Sequence, residues 1–315
     1  MKRIAIIGEC MIELNGAPFR TMQQAYGGDS LNTAIYMART AGQSIEIDYV
    51  SALGVDTISE GMISRWKLEG INTDYVLRDP TRQPGLYLIQ LDEQGERTFL
   101  YWRNQSAARY LLQHPGFPNV EHHLANVDMV YLSGISLAIL PPTDRQKLIN
   151  LLHNIKAKGV EIAFDSNYRP ALWDTKLEAQ ACYKQILTLT DLALVTDDDE
   201  ECLWGDSSQQ DTLHRLRDHG VRNVVLKQGA KGCLYTDFTT DIPELIATTP
   251  IDTVIDTTSA GDSFNAGFLA GYLTNKTPRE AALQGHQLAG IVIQHKGAIV
   301  PRSATESINF NKEIK

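Results

Sequence analysis

The string Ile255-Asp-Thr-Thr-Ser-Ala-Gly-Asp262-Ser-Phe264 sets a carboxylate and a glycine among small side chains, just ahead of a small and apolar run that reaches Leu273. Such a string fits phosphoryl transfer. Ser259, Ala260 and Gly261 begin a helix whose first N–H groups lack intrahelical acceptors and point, with the positive end of the helix dipole, toward an anion. Asp262, in that first turn, is placed to accept the proton of an attacking hydroxyl. A bare Ala-Gly-Asp is also an ordinary helix start, because Asp suits the first turn and Gly tolerates strained backbone; the longer string is far less common. Phe264, Phe268, Leu269, Tyr272 and Leu273 form one apolar helical face, while Ala266, Gly267, Ala270 and Gly271 leave another surface nearly bare. Another element must approach that bare surface closely.

Four further stretches could hold ligands. Gly27-Gly28-Asp29-Ser30-Leu31-Asn32 is a glycine turn feeding a helix, where hydroxyls can approach backbone and Asn32 can both donate and accept; Gly-Gly before a helix is also simply a turn. Asp165-Ser-Asn-Tyr-Arg169-Pro170 follows an apolar strand, at the sheet edge where open α/β folds bind ligands. A guanidinium grips carboxylate or phosphate in two-point fashion, so Arg169 and Arg103 are the cations assigned to an acidic substrate and to the transferring phosphate, with surface ion pairing as the alternative. Lys227-Gln-Gly229-Ala-Lys-Gly232 follows another strand and resembles a nucleotide-side turn, with glycines for close approach and Lys227 near phosphate; no Walker loop, G-x-G-x-x-G after a first strand or protein-kinase motif set is present. Thr196-Asp-Asp-Asp199-Glu200-Glu201 offers carboxylates that could meet Mg²⁺ through its waters, although a solvated acidic helix start accounts for most of them.

These stretches are positioned by alternating elements. Val127–Leu132, Val160–Phe164, Leu192–Val195 and Val224–Lys227 read as buried strands, with helical periodicity between them, as from Asp144 to Lys158 before Gly159. That order yields right-handed crossovers and a mostly parallel, doubly wound α/β sheet flanked by helices. Thr277-Pro-Arg-Glu280 reads as a capping box opening a helix through Gly285 toward Gln294, a neighbour for the helix that follows Ser259. Gly85–Asp92 and Glu96–Arg103, around the turn Glu93-Gln-Gly95, read instead as a hairpin. Period two lets Tyr87, Tyr101 and Arg103 share a face, which suits a flap over a substrate or an ordinary solvated hairpin.

The 315 residues show no linker or break in composition, so residues 1–315 read as one domain, large enough for a core without metals or disulfides. A net charge of −9 disfavours nucleic-acid binding, and any anionic ligand needs local cations. Four scattered cysteines, no signal-peptide core and no apolar run of membrane-spanning length point to a cytoplasmic protein without membrane contact.

Gly27-Gly28 with Asn32, together with Asp256–Phe264, resembles the ribokinase-like PfkB family of carbohydrate kinases. Within it, Gly8-Glu-Cys-Met-Ile-Glu-Leu14, Pro84–Tyr87, Gly95–Phe99, Tyr101–Asn104, Ser133–Leu137 and Asn167–Pro170 are most similar to the branch of 2-keto-3-deoxygluconate kinases. The resemblance implies a central sheet with a small β lid, formed by parts of about 9–28 and 71–105, and transfer of the γ-phosphate of ATP to the 6-hydroxyl of the keto-deoxy acid sugar with Mg²⁺. It places the catalytic base on Asp262 and the anion hole on the N–H groups of Ala260, Gly261 and Asp262. Sugar contacts fall on Gly28, Asn32, Tyr87, Tyr101, Arg103 and Arg169, and nucleotide contacts on Asn167, Arg169, Lys227, Gly229, Gly232 and Ser259 to Asp262. Asp199 is the metal-side carboxylate. A monovalent cation such as K⁺ near Asp256 and Thr258, and a dimer through lid edges, occur among relatives. A kinase for ribose, fructose or another sugar acid, and a sensor that binds without turnover, remain the alternatives. Where the family has Gly-Ala-Gly-Asp this chain has Ser259-Ala-Gly-Asp262, and a Cβ at that position predicts ordinary backbone angles for Ser259.

Overall fold

The computed structural model describes residues 1–91, 97–240 and 242–306. Its strands are β1 (Lys2–Ile7), β2 (Met11–Asn15), β3 (Gln23–Gly27), β4 (Ile45–Gly54), β5 (Val76–Asp79), β6 (Leu86–Leu91), β7 (Arg97–Trp102), β8 (Met129–Ser133), β9 (Glu161–Asp165), β10 (Leu192–Thr196), β11 (Asn223–Lys227), β12 (Cys233–Asp237) and β13 (Glu244–Ile246). Its α-helices are α1 (Asp29–Ala41), α2 (Thr57–Leu68), α3 (Phe117–Leu124), α4 (Gly134–Ala138), α5 (Pro142–Lys156), α6 (Lys176–Leu187), α7 (Asp197–Trp204), α8 (Gln209–Asp218), α9 (Ala260–Leu273), α10 (Pro278–Val292) and α11 (Arg302–Glu306).

The large sheet runs β13-β12-β11-β10-β9-β8-β1-β4-β5, parallel from β11 to β5 with an antiparallel pair, β12 and β13, at one edge. Chain order reverses direction at β1, which lies between β4 and β8. Ligands of open α/β sheets bind at such a switch, beyond the carboxyl ends of the strands. The central strands are apolar on both sides because helices cover both faces. Ala5, Ile7, Val130, Leu132, Ile162 and Phe164 face one core with α5 and α6, while Ile4, Ile6, Met129, Tyr131 and Ala163 face the other with α1, α9 and α10.

The bare face of α9 meets α10, as the small residues require. A Cβ on Gly267 would lie 2.8 Å from Gly285 Cα, and one on Gly285 would lie 2.8 Å from the Phe264 carbonyl oxygen. Thr277 and Glu280 form the expected capping box at the start of α10. Helix α9 is therefore seated backbone to backbone on its neighbour.

A second sheet, β3-β2-β6-β7, stands apart from the first. The β6–β7 hairpin pairs Tyr87 with Tyr101 across the strands, and their ring centroids lie 6.0 Å apart. The expected turn at Glu93–Gly95 lies outside the described residues.

Candidate active site

Ser259 caps α9 in the left-handed region, at φ 65° and ψ 14°. This corrects the expectation of ordinary backbone angles. The geometry carries a compensation: Ser259 Oγ donates to Asp262 Oδ2 at 2.9 Å, and the Ser259 carbonyl accepts from the Ser263 N–H at 2.9 Å and the Ser263 hydroxyl at 2.7 Å. Local hydrogen bonds of a short polar side chain offset part of the cost of left-handed backbone.

Of the three N–H groups expected to form the anion hole, Ala260 already donates to the Thr257 carbonyl at 3.1 Å. Gly261 and Asp262 keep N–H groups without an acceptor among the described residues, and no side chain caps the helix. Lys227 brings positive charge to the same place. Its Nζ, anchored by Asp165 Oδ1 at 3.2 Å and Asn265 Oδ1 at 3.1 Å, lies 3.8 Å from where a Gly261 Cβ would be. Two open N–H groups, a helix dipole and an ammonium fit a phosphoryl group.

Asp262 is half-buried. Its Oδ2 accepts from Asn32 Nδ2 at 2.8 Å as well as from Ser259. Desolvation, with the negative charges of Asp29 and Asp165 adding to it, pushes its carboxyl up to about 7 against the opposing hydrogen bonds from Asn32 and Ser259. A carboxylate of that basicity, held by neutral donors, suits a general base working near neutral pH.

The structure brings several expected site residues together but commits some of their polar atoms. Gly28 caps α1, and a Cβ there would meet the Glu9 carbonyl at 2.1 Å, so the chain's own approach demands glycine. Asn32 spends its amide on Asp262 and, at 3.5 Å, on the Gly28 N–H. Asn167, at φ 32°, donates to Asp29 Oδ2 at 2.8 Å. Gly229 has positive φ and open space beside it, as a turn beside a nucleotide needs. Gly232 instead faces its own chain, since a Cβ would lie 2.2 Å from the Ile246 carbonyl oxygen.

On the small sheet, the Tyr87 hydroxyl donates to Glu13 Oε2 and is buried, whereas Tyr101 is half-exposed. Burial raises the Tyr101 phenol and the charges of Arg103 and Arg169 lower it, so both guanidinium groups lie within electrostatic reach of one ring. Arg103 is buried and ion-paired with Glu9. Arg169 is largely exposed, donating from Nη1 to the Tyr168 carbonyl at 2.8 Å and to Asp199 Oδ1 at 3.2 Å.

The same contact bears on the metal. Burial raises the Asp199 carboxyl and Arg169 lowers it, and among the described residues only its Oδ1 is engaged. Glu200 is buried against Arg215 at 2.6 Å and is committed there. Among the described residues no three His, Cys, Asp or Glu side chains converge as a metal cage. Mg²⁺ on a nucleotide asks for only one or two protein carboxylates beside the phosphates, and Asp199 fits that smaller requirement.

Glu9, Asp29, Asp165 and Asn265 were not assigned roles from sequence, although all four hold groups of the site. Glu9, Asp29 and Asp165 stand within motif strings that give them no role of their own, and the Asp165–Lys227 and Glu9–Arg103 pairs span 62 and 94 residues. Among the described residues no helix is long and apolar enough to cross a membrane.

A family model described as pfkB family carbohydrate kinase matches residues 1–305. A 2-dehydro-3-deoxygluconokinase of Haemophilus influenzae is 57% identical over 305 residues, covering 96% of this chain and 97% of that protein. One of Escherichia coli K12 is 47% identical over 309 residues, covering 96% and 98%. Among solved structures, a fructokinase from Vibrio cholerae O395 in fructose, ADP and calcium ion bound form superposes with a TM-score of 0.80 at 23% identity, covering 97% of this chain and 96% of that one, a likeness of fold. With the mostly parallel sheet, the separate small sheet and the Asp262 helix start in place, the chain belongs to the pfkB family of carbohydrate kinases.

Proposed function

We propose that this chain transfers the γ-phosphoryl group of ATP to the 6-hydroxyl of 2-keto-3-deoxygluconate, giving 2-keto-3-deoxy-6-phosphogluconate and ADP. The observation that carries the reaction type is the convergence at the start of α9: a carboxylate raised to about 7 beside two open N–H groups and the Lys227 ammonium. The names of the curated relatives, at 57% and 47% identity over nearly the full chain, supply the substrate. The 6-hydroxyl oxygen attacks the γ-phosphorus in line, its proton passes to Asp262, and the bond from γ-phosphorus to the β,γ-bridging oxygen breaks as ADP leaves. Gly261 and Asp262 N–H groups and Lys227 hold the charge on the moving group, so positioning and electrostatics supply most of the rate.

Residues 1–315 act as one kinase domain, with the small sheet as the lid over the sugar. Arg103 receives the sugar carboxylate, and the Tyr101 ring and Arg169 close the same side. Asp199 is the residue that would hold Mg²⁺ with the nucleotide, where the ion neutralises phosphate charge; K⁺ near Asp256 is a further requirement to be measured. The enzyme is cytoplasmic in this scheme. The exposed edge strand β7, with Leu100 39% and Trp102 58% exposed, supports a homodimer through the small sheets.

Release of ADP measured with a panel of 2-keto-3-deoxygluconate, ribose, fructose and their acid relatives tests the proposal. The keto-deoxy acid is expected to give the highest kcat/KM. Preference for a neutral sugar would make the chain a kinase of another specificity, and binding without ADP release would make it a sensor.

A further inference from the structure

Glu9 lies in the short link between β1 of the large sheet and β2 of the small one, and Arg103 stands where the chain leaves the small sheet after β7. The two thus join both passages at the foot of the lid. Both are buried, Glu9 at 3% and Arg103 at 9% exposure. Arg103 Nε donates to Glu9 Oε2 at 2.8 Å, and Nη2 donates to the same oxygen. Nε and Nη2 form one fork of the guanidinium. The other fork, Nη1 with the second N–H of Nη2, has no acceptor among the described residues.

Space around the pair is kept for it. Gly85 faces the carboxylate, and a Cβ there would lie 2.9 Å from Glu9 Oε1 and 3.1 Å from Arg103 Cβ. Glu9 Oε1 is itself buried without a partner among the described residues. A buried ion pair with an unsatisfied oxygen adds little to stability, because desolvation can exceed the Coulombic gain, so its presence points to another use. Two-point recognition of a carboxylate is such a use, because it requires the guanidinium plane to be fixed before the anion arrives.

We infer that Glu9 is the positioning residue for acid-sugar selection: it holds Arg103 by the Nε/Nη2 fork, so that the Nη1/Nη2 fork meets the substrate carboxylate in plane. The inference rests on the proposal that Arg103 binds that carboxylate. Two effects oppose each other, since Glu9 fixes the fork but also repels a second carboxylate sharing the cation; orientation wins in this scheme.

The test uses the full-length enzyme and the ratio of kcat/KM for 2-keto-3-deoxygluconate to that for 3-deoxyfructose, in which CH₂OH replaces the carboxylate. A ratio cancels the fraction of active protein. Glu9→Gln is expected to lower it about tenfold, the size of one lost charge-assisted contact, chiefly through KM for the acid and with KM for ATP unchanged. Glu9→Asp, which keeps the charge at shorter reach, is expected to recover part of the ratio, and it carries the test if Glu9→Gln does not fold. An unchanged ratio with both sugars slowed alike would mean a merely structural role, and a lower KM for the acid would mean that repulsion dominates; either overturns the inference. If Arg103→Ala lowers the ratio and the Glu9 variants do not, this inference alone fails. If Arg103→Ala leaves the ratio unchanged, the assignment of Arg103 fails and this one with it.

Discussion

At the start of α9 a carboxylate is held by neutral donors, Asn32 and Ser259, whereas at the foot of the small sheet a carboxylate is held by a cation, Arg103. The difference follows from what each group must do. A cation bonded directly to Asp262 would fix it as an anion too weakly basic to take a proton; the nearby Lys227 bonds instead to Asp165 and Asn265, and desolvation with the like charges of Asp29 and Asp165 raises Asp262. A guanidinium that must recognise an anion keeps its charge, and pairing fixes its orientation. On the proposed roles, turnover and choice of substrate belong to two regions with opposite electrostatics.

The largest expected effect falls on the first region. Asp262→Asn is expected to lower kcat by about 10²–10⁴ while leaving sugar affinity near that of the native enzyme, measured by ADP release and by equilibrium binding. Loss of both in equal measure would blur the distinction between the regions. In the second region, Arg103→Ala is expected to cost about 2–5 kcal/mol in binding of the acid, which is roughly 30-fold or more in its kcat/KM. The same variant leaves Glu9 buried and unpaired, so its thermal midpoint should fall as well.

The seat of α9 can be disturbed without touching either charge. Gly267→Ala forces a Cβ to within 2.8 Å of Gly285 Cα, so α9 and α10 must part. Overpacking of this kind is expected to cost about 1–3 kcal/mol, read from denaturant unfolding. Its kinetic effect should appear in kcat before the acid-to-neutral ratio.

The pH profile sharpens the same comparison more gently. Because the base must be unprotonated and its carboxyl sits at about 7, kcat/KM should fall roughly tenfold per pH unit below that value and level off above it. Ser259→Gly removes the Oγ donor to Asp262, which raises the carboxyl further and moves this limb to higher pH. Glycine also accepts φ 65° without strain, so a rise in stability on the order of 1 kcal/mol or less should accompany the shift.

Much of the fold was legible because its signals are local. Apolar runs at β8 to β11, the capping box of α10 and the period-two pattern of β6 and β7 each specify an element within a few residues. The small residues of α9 even announced a close neighbour, and Gly285 supplied it. Asp262 and the helix start were likewise contained in one string. Ser259 misled, because a side chain that bonds within its own turn can hold backbone angles that steric preference alone disfavours. Glu9 and Asp29 gave no local signal of their roles, since a partner 94 or 138 residues away leaves no periodicity behind.

The separation of chemistry from choice is tested most directly by one quantity in two variants: the ratio of kcat/KM for 2-keto-3-deoxygluconate to that for 3-deoxyfructose, in Asp262→Asn and in Arg103→Ala. Asp262→Asn should slow both sugars alike and leave the ratio at its native value, while Arg103→Ala should lower the ratio by roughly 30-fold or more. A ratio that moves with Asp262 and stays fixed with Arg103 would contradict the account.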